Sequence, residues 1–253
     1  MQVEEKMMSF WDHLDDLRKS LIHIIVALIC VATVLFVFKD FLFDDVVLAP
    51  SRQDFIFYRF TGIDMSLPLV NLEVAAQFVI HLKVTFITAL ILACPYIIYE
   101  LWRFIAPALY VDEKKAVRKA FMYASVLFYV GLAVGYFIVL PLMLNFFADY
   151  QVSASVPNTF SLSSYISLLT STVLAFGIVF EFPAVVAVLS AMGIVTRENM
   201  IAYRKYAVCG VLVLAAIITP SGDPFSLLIC SVPLYLLYEF SILLCCRGDK
   251  LAE

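Results

Sequence analysis

Glu181 is the residue whose position in this sequence most demands a chemical explanation. It lies in the apolar run Phe176-Gly-Ile-Val-Phe-Glu-Phe-Pro183, about 18 Å of helix from one end of that run. A charged acid at such depth in a bilayer costs at least ~2.5–3.5 kcal/mol, so it must be protonated or face a cavity or a partner. Pro183 cannot donate to the carbonyl of Val179, which predicts a kink beside the acid. Both a functional intramembrane acid and a structural hydrogen bond to a neighbouring helix are open interpretations.

Two further charged residues lie in apolar runs. Lys83 has the right sign to pair with Glu181, but it lies about two to three turns from the end of its own run. We expect its ammonium group to extend toward the interface instead. Glu239 lies near the end of the last apolar run, and we expect it to reach the interface too.

Weakly paired acids occur in two of the polar segments. Glu113 follows Asp112 at the start of a predicted helix, where an acid stabilises the helix dipole by about 0.3–1 kcal/mol. Asp112 has Lys115 as a partner three residues on, whereas Glu113 has no such partner. Asp16 has only Lys19 at helical spacing. These acids either stabilise helices or receive a basic peptide.

Motifs for catalysis and cofactor binding are absent from the sequence. It contains no GxxxxGK[ST] loop, no HExxH and no GxSxG, and its three histidines are scattered. The six cysteines form no CxxC pair and are expected to be small apolar fillers. The sequence has no stripe of basic residues that would indicate nucleic-acid binding. We therefore expect no enzyme activity, no metal and no cofactor, with energy for any work supplied from elsewhere.

The composition is that of an integral membrane protein. Of 253 residues, 63% are hydrophobic and 15% charged, and the mean hydropathy is +0.97. We predict an all-α fold, a single polytopic membrane domain over residues 1–253. Its six transmembrane helices are expected at 21–38, 74–99, 120–147, 164–192, 207–219 and 225–245.

Spans five and six are expected to be the short ones. The fifth, from Ala207 to Thr219, would reach only ~20 Å as a helix. The turn from Pro220 to Pro224 is so short that these two spans must form an antiparallel hairpin.

Lysine and arginine set the orientation. An N-terminus in the cytoplasm places 13 of the 17 on the inner side and only three in outer loops, with Lys83 inside a span. Both termini are therefore predicted to be cytoplasmic. The inner residues are Lys6, Arg18, Lys19, Arg103, Lys114, Lys115, Arg118, Lys119, Arg197, Arg204, Lys205, Arg247 and Lys250.

The polar segments have expected structures of their own. Residues 1–20 are predicted to hold an amphipathic helix on the cytoplasmic surface before span one. The first periplasmic loop is expected at 39–73 and the first cytoplasmic loop at 100–119; within the latter, residues 100–110 should lie along the interface. Gly131 and Gly135 match GxxxG, and we expect close packing within the bundle, with a dimer seam as the alternative.

Several blocks, in order, resemble one family. Phe10-Trp-Asp-His-Leu-Asp-Asp-Leu-Arg18 resembles the HLxELRxR opening of the TatC family, the core receptor of the twin-arginine protein translocase. Ala49-Pro50, Trp102-Arg-Phe-Ile-Ala-Pro-Ala-Leu-Tyr110 with Glu113, the block around Glu181, and Thr219-Pro220 with Asp223 also match. The resemblance covers residues 10–246.

This resemblance implies a cup-shaped receptor in the bacterial cytoplasmic (inner) membrane that binds S/T-R-R-x-F-L-K signal peptides on folded cargo. The family's signal-peptide site maps onto Asp16 and Glu113, with Arg18, Phe104 and Pro107 shaping it. Two guanidiniums suit two carboxylates, because arginine binds each bidentately.

Other family positions fall on Pro50 in the outer cap, Glu181 in the concave face and Asp223 in an outer turn. The implied partners are single-span TatA and TatB in an oligomeric complex, with export driven by the proton-motive force. The chain departs from the family pattern at Asp16, where glutamate is usual, and at Leu227, where glutamine is frequent; its 219–226 turn is also longer. The competing hypothesis is a proton-coupled secondary transporter using Glu181, although no internal repeat supports it.

Overall fold

Long apolar helices make up most of the chain. The computed structural model describes residues 10–65, 67–105, 111–153, 155, 158–191, 193–219 and 222–245. Helices suit a membrane protein because hydrocarbon offers no water, so the main chain must bond to itself. The helices are α1 (Phe10–Val37), α2 (Ile56–Thr61), α3 (Ala76–Ile105), α4 (Val111–Val134), α5 (Leu140–Asp149), α6 (Leu162–Val179), α7 (Phe182–Ala191), α8 (Arg197–Ala202), α9 (Arg204–Ile218) and α10 (Pro224–Leu244).

Short segments of other types join or interrupt these helices. Phe41–Val47 and Gly135–Val139 are π-helical, and Ala49–Ser51 is a 3-10 turn. Two strands, β1 (Leu69–Val70) and β2 (Phe160–Ser161), pair in parallel. The all-α prediction describes the bundle correctly, but it misses this two-residue pair.

Five helical stretches of the described chain are long and apolar enough to cross a bilayer, and they coincide with five predicted spans. The chain is therefore a multi-pass membrane protein. The predicted span 207–219 lies in α9, whose 15 residues reach only ~22 Å, less than the ~30 Å hydrocarbon core. The five stretches are Leu14–Val37, Ala76–Phe104, Met122–Asp149, Leu162–Ser190 and Pro224–Leu244.

The last helix corrects one expectation. α10 has 21 residues, enough for a full crossing, so the prediction that span six is short is wrong. The carboxylate of Asp223 accepts a 2.7 Å hydrogen bond from the Ser226 amide and caps the start of the helix. Pro233 lies inside α10 without ending it.

The start of the chain also differs from prediction. A surface helix over 1–20, separate from a span beginning at residue 21, is wrong for the described residues, because α1 runs without a break from Phe10 to Val37. No glycine or proline lies between those ends, so nothing terminates the helix near residue 20. α1 packs on α3, and Ser20 is the buried side chain among residues 14–37.

The second span extends further than predicted. α3 continues to Ile105, so Glu100 belongs to the spanning helix and not to an interfacial loop that starts at residue 100. The helix continues because Trp102 and Phe104 are apolar and no glycine or proline lies between Pro95 and Pro107. Pro107 lies outside the described residues, and the next helix begins at Val111.

Glycines let α4 and α6 approach closely. A Cβ atom on Gly131 would collide with the carbonyl oxygen of Phe176, and one on Gly135 would lie 3.1 Å from the Phe176 Cβ. A Cβ on Gly177, across the contact, would lie 2.9 Å from Leu132 Cδ2. The GxxxG pair therefore packs inside the bundle, and that prediction is confirmed.

The segment between α1 and α3, residues 38–75, is held to the bundle by tyrosines. Tyr136 and Tyr165 donate hydrogen bonds of 2.6 and 2.7 Å to two of its main-chain carbonyls. Inside the segment, Tyr58 donates a 3.0 Å hydrogen bond to the carbonyl of the buried Pro50. Burial raises the pKa of Tyr58, so its hydroxyl stays a donor.

The glycine contacts predict a stability difference between two Gly→Ala variants. Gly131→Ala is expected to lower the free energy of unfolding by about 1–3 kcal/mol, because the new methyl overpacks the α4–α6 contact. Gly210→Ala is the matched control, since no atom from elsewhere in the described chain lies within 4 Å of its Cβ position. That variant should be neutral or slightly stabilising, because glycine weakens a helix interior. Thermal unfolding in detergent measures both; equal melting temperatures would contradict the close packing.

Candidate functional site

Three polar residues line one face of α1. Asp16, Ser20 and His23 are spaced at i, i+4 and i+7, which places them on the same side of the helix. That side faces α3, because Ser20 is buried and His23 Nδ1 lies 3.6 Å from Glu100 Oε1. The face therefore forms a polar seam between the two helices.

Asp16 is available at the end of this seam. Its side chain is 42% exposed, and its carboxylate lies 3.5 Å from Lys19 Nζ. A surface ion pair of this kind contributes at most about 1 kcal/mol, so another cation can replace Lys19 at small cost. Arg18, next to it in sequence, is exposed.

Glu100 is a further acid in this region, and no motif or spacing in the sequence marked it as a site residue. It lies on α3 and is only 2% exposed, although it is ionisable. Tyr96 donates a 3.1 Å hydrogen bond to its Oε1, and Arg103 Nη1 lies 3.8 Å from the same oxygen. Its Oε2 is buried and accepts no hydrogen bond from the described residues. Spacing could have shown only that Arg103 follows at i+3; burial depends on how α1 packs on α3.

The other predicted site residues follow α3 toward α4. Phe104 is half-buried, one turn beyond Glu100 on α3. Glu113 lies in the first turn of α4, and its side chain, like all of Pro107, lies outside the described residues. In the structure, Asp16 lies on α1 and Phe104 on α3, and these two helices pack together. Glu100 lies on α3 where the two helices meet. The structure does not place the Glu113 carboxylate.

This end of the α1–α3 pair can bind cations. Asp16 and Glu100 supply carboxylates, and the exposed Lys19 and Arg103 beside them are weakly held. Within the described ranges, no group of three or more His, Cys, Asp or Glu side chains could hold a metal ion. The basic side chains that already lie beside these carboxylates show that a basic group fits the arrangement.

Glu181 lies at a break in the fourth span. α6 ends at Val179 and α7 begins at Phe182, and the missing amide hydrogen of Pro183 accounts for the interruption. The Glu181 Oε1 atom is buried and accepts no hydrogen bond from the described residues. It borders a pocket of about 370 Å³, whose other walls are mostly apolar and include Cys94, Ile98, Phe128, Ile178 and Val185.

The other charges within spans have simpler roles. Lys83 is exposed on α3 and does not pair with Glu181, as expected for a side chain that extends outward. Glu239 does not simply reach the interface: its carboxylate lies 2.6 Å from Arg204 Nη2 and accepts a 2.9 Å hydrogen bond from Tyr235. The pair ties the start of α9 to α10. Because Arg204 and Glu239 lie far apart in the sequence, helical spacing could not predict this contact.

A family comparison decides where the chain belongs. The family model described as Sec-independent protein translocase protein (TatC) matches residues 12–233, from α1 into α10. The chain belongs to the TatC family. The match includes Asp16, Pro50, Glu113, Glu181 and Asp223, so each of these predicted positions lies within the family region.

TatC proteins of known sequence and structure resemble the chain over nearly its whole length. It is 37% identical over 257 residues to TatC of Blattabacterium sp. subsp. Periplaneta americana, covering 96% of each chain. It is 34% identical over 230 residues to TatC of Escherichia coli K12, covering 91% of this chain and 85% of that protein. A crystal structure of a twin-arginine translocase receptor, TatC, superposes with a TM-score of 0.74 at 34% identity, over 95% of this chain and 100% of that one. A second, of TatC in DDM, gives 0.76 at 34% identity.

Two predicted positions of this TatC chain lie at the end opposite Asp16. Pro50 is buried in the segment between α1 and α3, where its carbonyl accepts the Tyr58 hydroxyl. Asp223 caps α10, and beside it Phe225 stacks on Phe146 of α5 at a ring distance of 3.8 Å. Both residues therefore have structural partners, which position the connections at this end of the bundle.

Proposed function

We propose that this chain is the receptor of a twin-arginine protein translocase in the bacterial cytoplasmic (inner) membrane. It binds S/T-R-R-x-F-L-K signal peptides of folded proteins and takes part in their export. The observation that carries the proposal is the polar seam between α1 and α3, which holds Asp16, Glu100 and Phe104 at one end of a TatC-family bundle.

Charge chemistry supports recognition at this end. A peptide with two adjacent guanidiniums needs two carboxylates, and arginine can bind each through two parallel hydrogen bonds. We assign these roles to Asp16 and Glu113, with Arg18, Phe104 and Pro107 shaping the surface around them. Among the described residues, the ion-pair partner of Asp16 is the exposed Lys19 at 3.5 Å, and such a surface pair can exchange for another cation at small cost.

The proposed orientation places this end in the cytoplasm. Both termini then lie inside, because the basic residues Arg18, Lys19, Arg103, Arg204 and Lys205 follow the positive-inside rule. Pro50 and Asp223 fall on the periplasmic side. The helices form a six-span cup in this proposal, with α9 as the short fifth span. The proton-motive force supplies the energy, in keeping with the lack of a nucleotide-binding loop in the sequence.

The proposed partners are single-span proteins of the TatA and TatB type in an oligomeric complex. Glu181 is a second polar site for them or for an inserted peptide. Its pocket of about 370 Å³ lies between α3, α4 and the α6–α7 break, and the carboxylate is the polar group in an otherwise largely apolar lining. A helix that carries one polar side chain fits such a lining.

Removal of the Glu113 carboxylate tests the assigned site. Glu113→Ala is expected to reduce cross-linking of a twin-arginine signal peptide by on the order of tenfold or more, because a charge-assisted pair is lost. The protein should still insert and unfold at the parent's temperature. Glu198→Ala is the matched control, since Glu198 also lies in the first turn of a helix, α8. Unchanged cross-linking in Glu113→Ala would contradict the assignment of Glu113 to the signal-peptide site.

A proton-coupled secondary transporter is the second candidate function. The observation in its favour is the buried Glu181 Oε1, which accepts no hydrogen bond from the described residues at a helix break. Broken helices with buried acids occur in such transporters, but those folds are commonly built from internal repeats. No internal repeat is evident in this sequence.

Glu181→Gln separates the two functions. Glutamine keeps the size and polarity of the side chain but cannot titrate, so the receptor proposal expects export of a folded twin-arginine reporter to stay close to the parent level. Glu181→Leu, which removes the polarity, should lower export. Loss of export in the glutamine variant, with the protein inserted normally, would favour proton coupling at this residue.

A further inference from the structure

Glu100 is a buried acid whose carboxylate is only partly paired within the described residues. Its side chain is 2% exposed, yet it lies in the seam whose two helices carry Asp16 and Phe104. A buried carboxylate is costly unless both oxygens are hydrogen-bonded or paired with a cation. Here Oε1 has one hydrogen bond, from Tyr96, while Oε2 is buried and accepts none from the described residues.

The cations beside Glu100 are held loosely. His23 Nδ1 is 3.6 Å and Arg103 Nη1 is 3.8 Å from Oε1, both beyond ordinary hydrogen-bond length. The two side chains are 49% and 63% exposed, so each can move outward without leaving a buried position. Swinging either outward breaks no short contact with Glu100. An incoming cation can therefore replace them without disturbing the helix core.

The position along the helices matches the order of charges in a signal peptide. His23, level with Glu100, is seven residues from Asp16, which corresponds to about 10 Å toward the membrane. An extended peptide rises about 3.3 Å per residue, so a cation a few residues after the arginine pair reaches this depth. Signal peptides run from a charged start into an apolar segment, and the deeper group therefore meets the later residue.

We infer that Glu100 is a third acidic group of the peptide site and that it accepts the lysine of the S/T-R-R-x-F-L-K motif in exchange for Arg103 and His23. The inference rests on the proposed receptor function. A lysine ammonium is a compact point charge, so it can pair with a single carboxylate oxygen, whereas the planar arginine guanidinium binds best when it reaches both oxygens. Asp16 and Glu113 remain the partners of the arginine pair.

Paired changes in protein and peptide test this assignment. Fluorescent peptides with the motif lysine, or with glutamine in its place, are titrated into the full chain in detergent. The parent is expected to bind the lysine peptide about tenfold more tightly, as for other close charge pairs. Glu100→Gln should bind both peptides equally. Arg103→Gln, which removes the internal competitor, should bind the lysine peptide more tightly than the parent does, and adding Glu100→Gln should abolish that gain.

The outcomes separate this inference from the receptor proposal. A parent that binds neither peptide contradicts the receptor function itself. A parent that binds both peptides equally, or a Glu100→Gln variant that still discriminates between them, overturns the role of Glu100 alone. Arg103 is exposed, so Arg103→Gln should fold even if Glu100→Gln does not. No gain in lysine-peptide affinity for Arg103→Gln would then overturn the assignment.

Discussion

In the hydrocarbon core of a membrane, no water is available to hydrogen-bond a polar group that lacks a partner within the protein. This constraint explains why the chain crosses as long helices. Burial within the protein makes a similar demand at the ends of the spans, where tyrosine hydroxyls donate to carbonyls of the segment between α1 and α3 and the Asp223 carboxylate accepts from an amide at the start of α10. A buried acid with an unpaired oxygen is an exception to this rule and therefore needs a physical explanation.

Two such acids occur among the described residues, and their surroundings differ. Glu100 lies at the end of a seam with His23, Arg103 and Tyr96, where charges can exchange partners. Glu181 lies beside a largely apolar pocket at a helix break. The first setting suits recognition of a basic peptide, and the second suits contact with another helix. The proposed function of Glu181 and the inference about Glu100 thus assign different roles to the two acids.

Much of this arrangement could be predicted from the sequence. Apolar runs located the spans, and the Gly131–Gly135 spacing gave the close contact between helices, because both signals are local. Pro183 gave the break beside Glu181 for the same reason. Family blocks pointed to Asp16 and Glu113 as site residues.

What the sequence could not provide depends on tertiary contacts. The α1 helix continues through residue 20 because its polar side packs on α3, although its polarity pattern resembles that of a surface helix. Glu100 is buried where α1 packs on α3, with His23 of α1 beside its carboxylate, and the Arg204–Glu239 pair joins residues far apart in the chain. Hydropathy and helical spacing carry no information about such neighbours.

The central claim is that peptide arginines bind at the cytoplasmic end of α1, α3 and α4, and not in the membrane pocket. A twin-arginine peptide with a photoreactive residue next to the arginine pair tests it directly, when cross-linked to the full chain and mapped by mass spectrometry. The account predicts cross-links within residues 14–23 and 100–113. Cross-links confined to the Glu181 pocket, at Cys94, Ile178 or Val185, would contradict it.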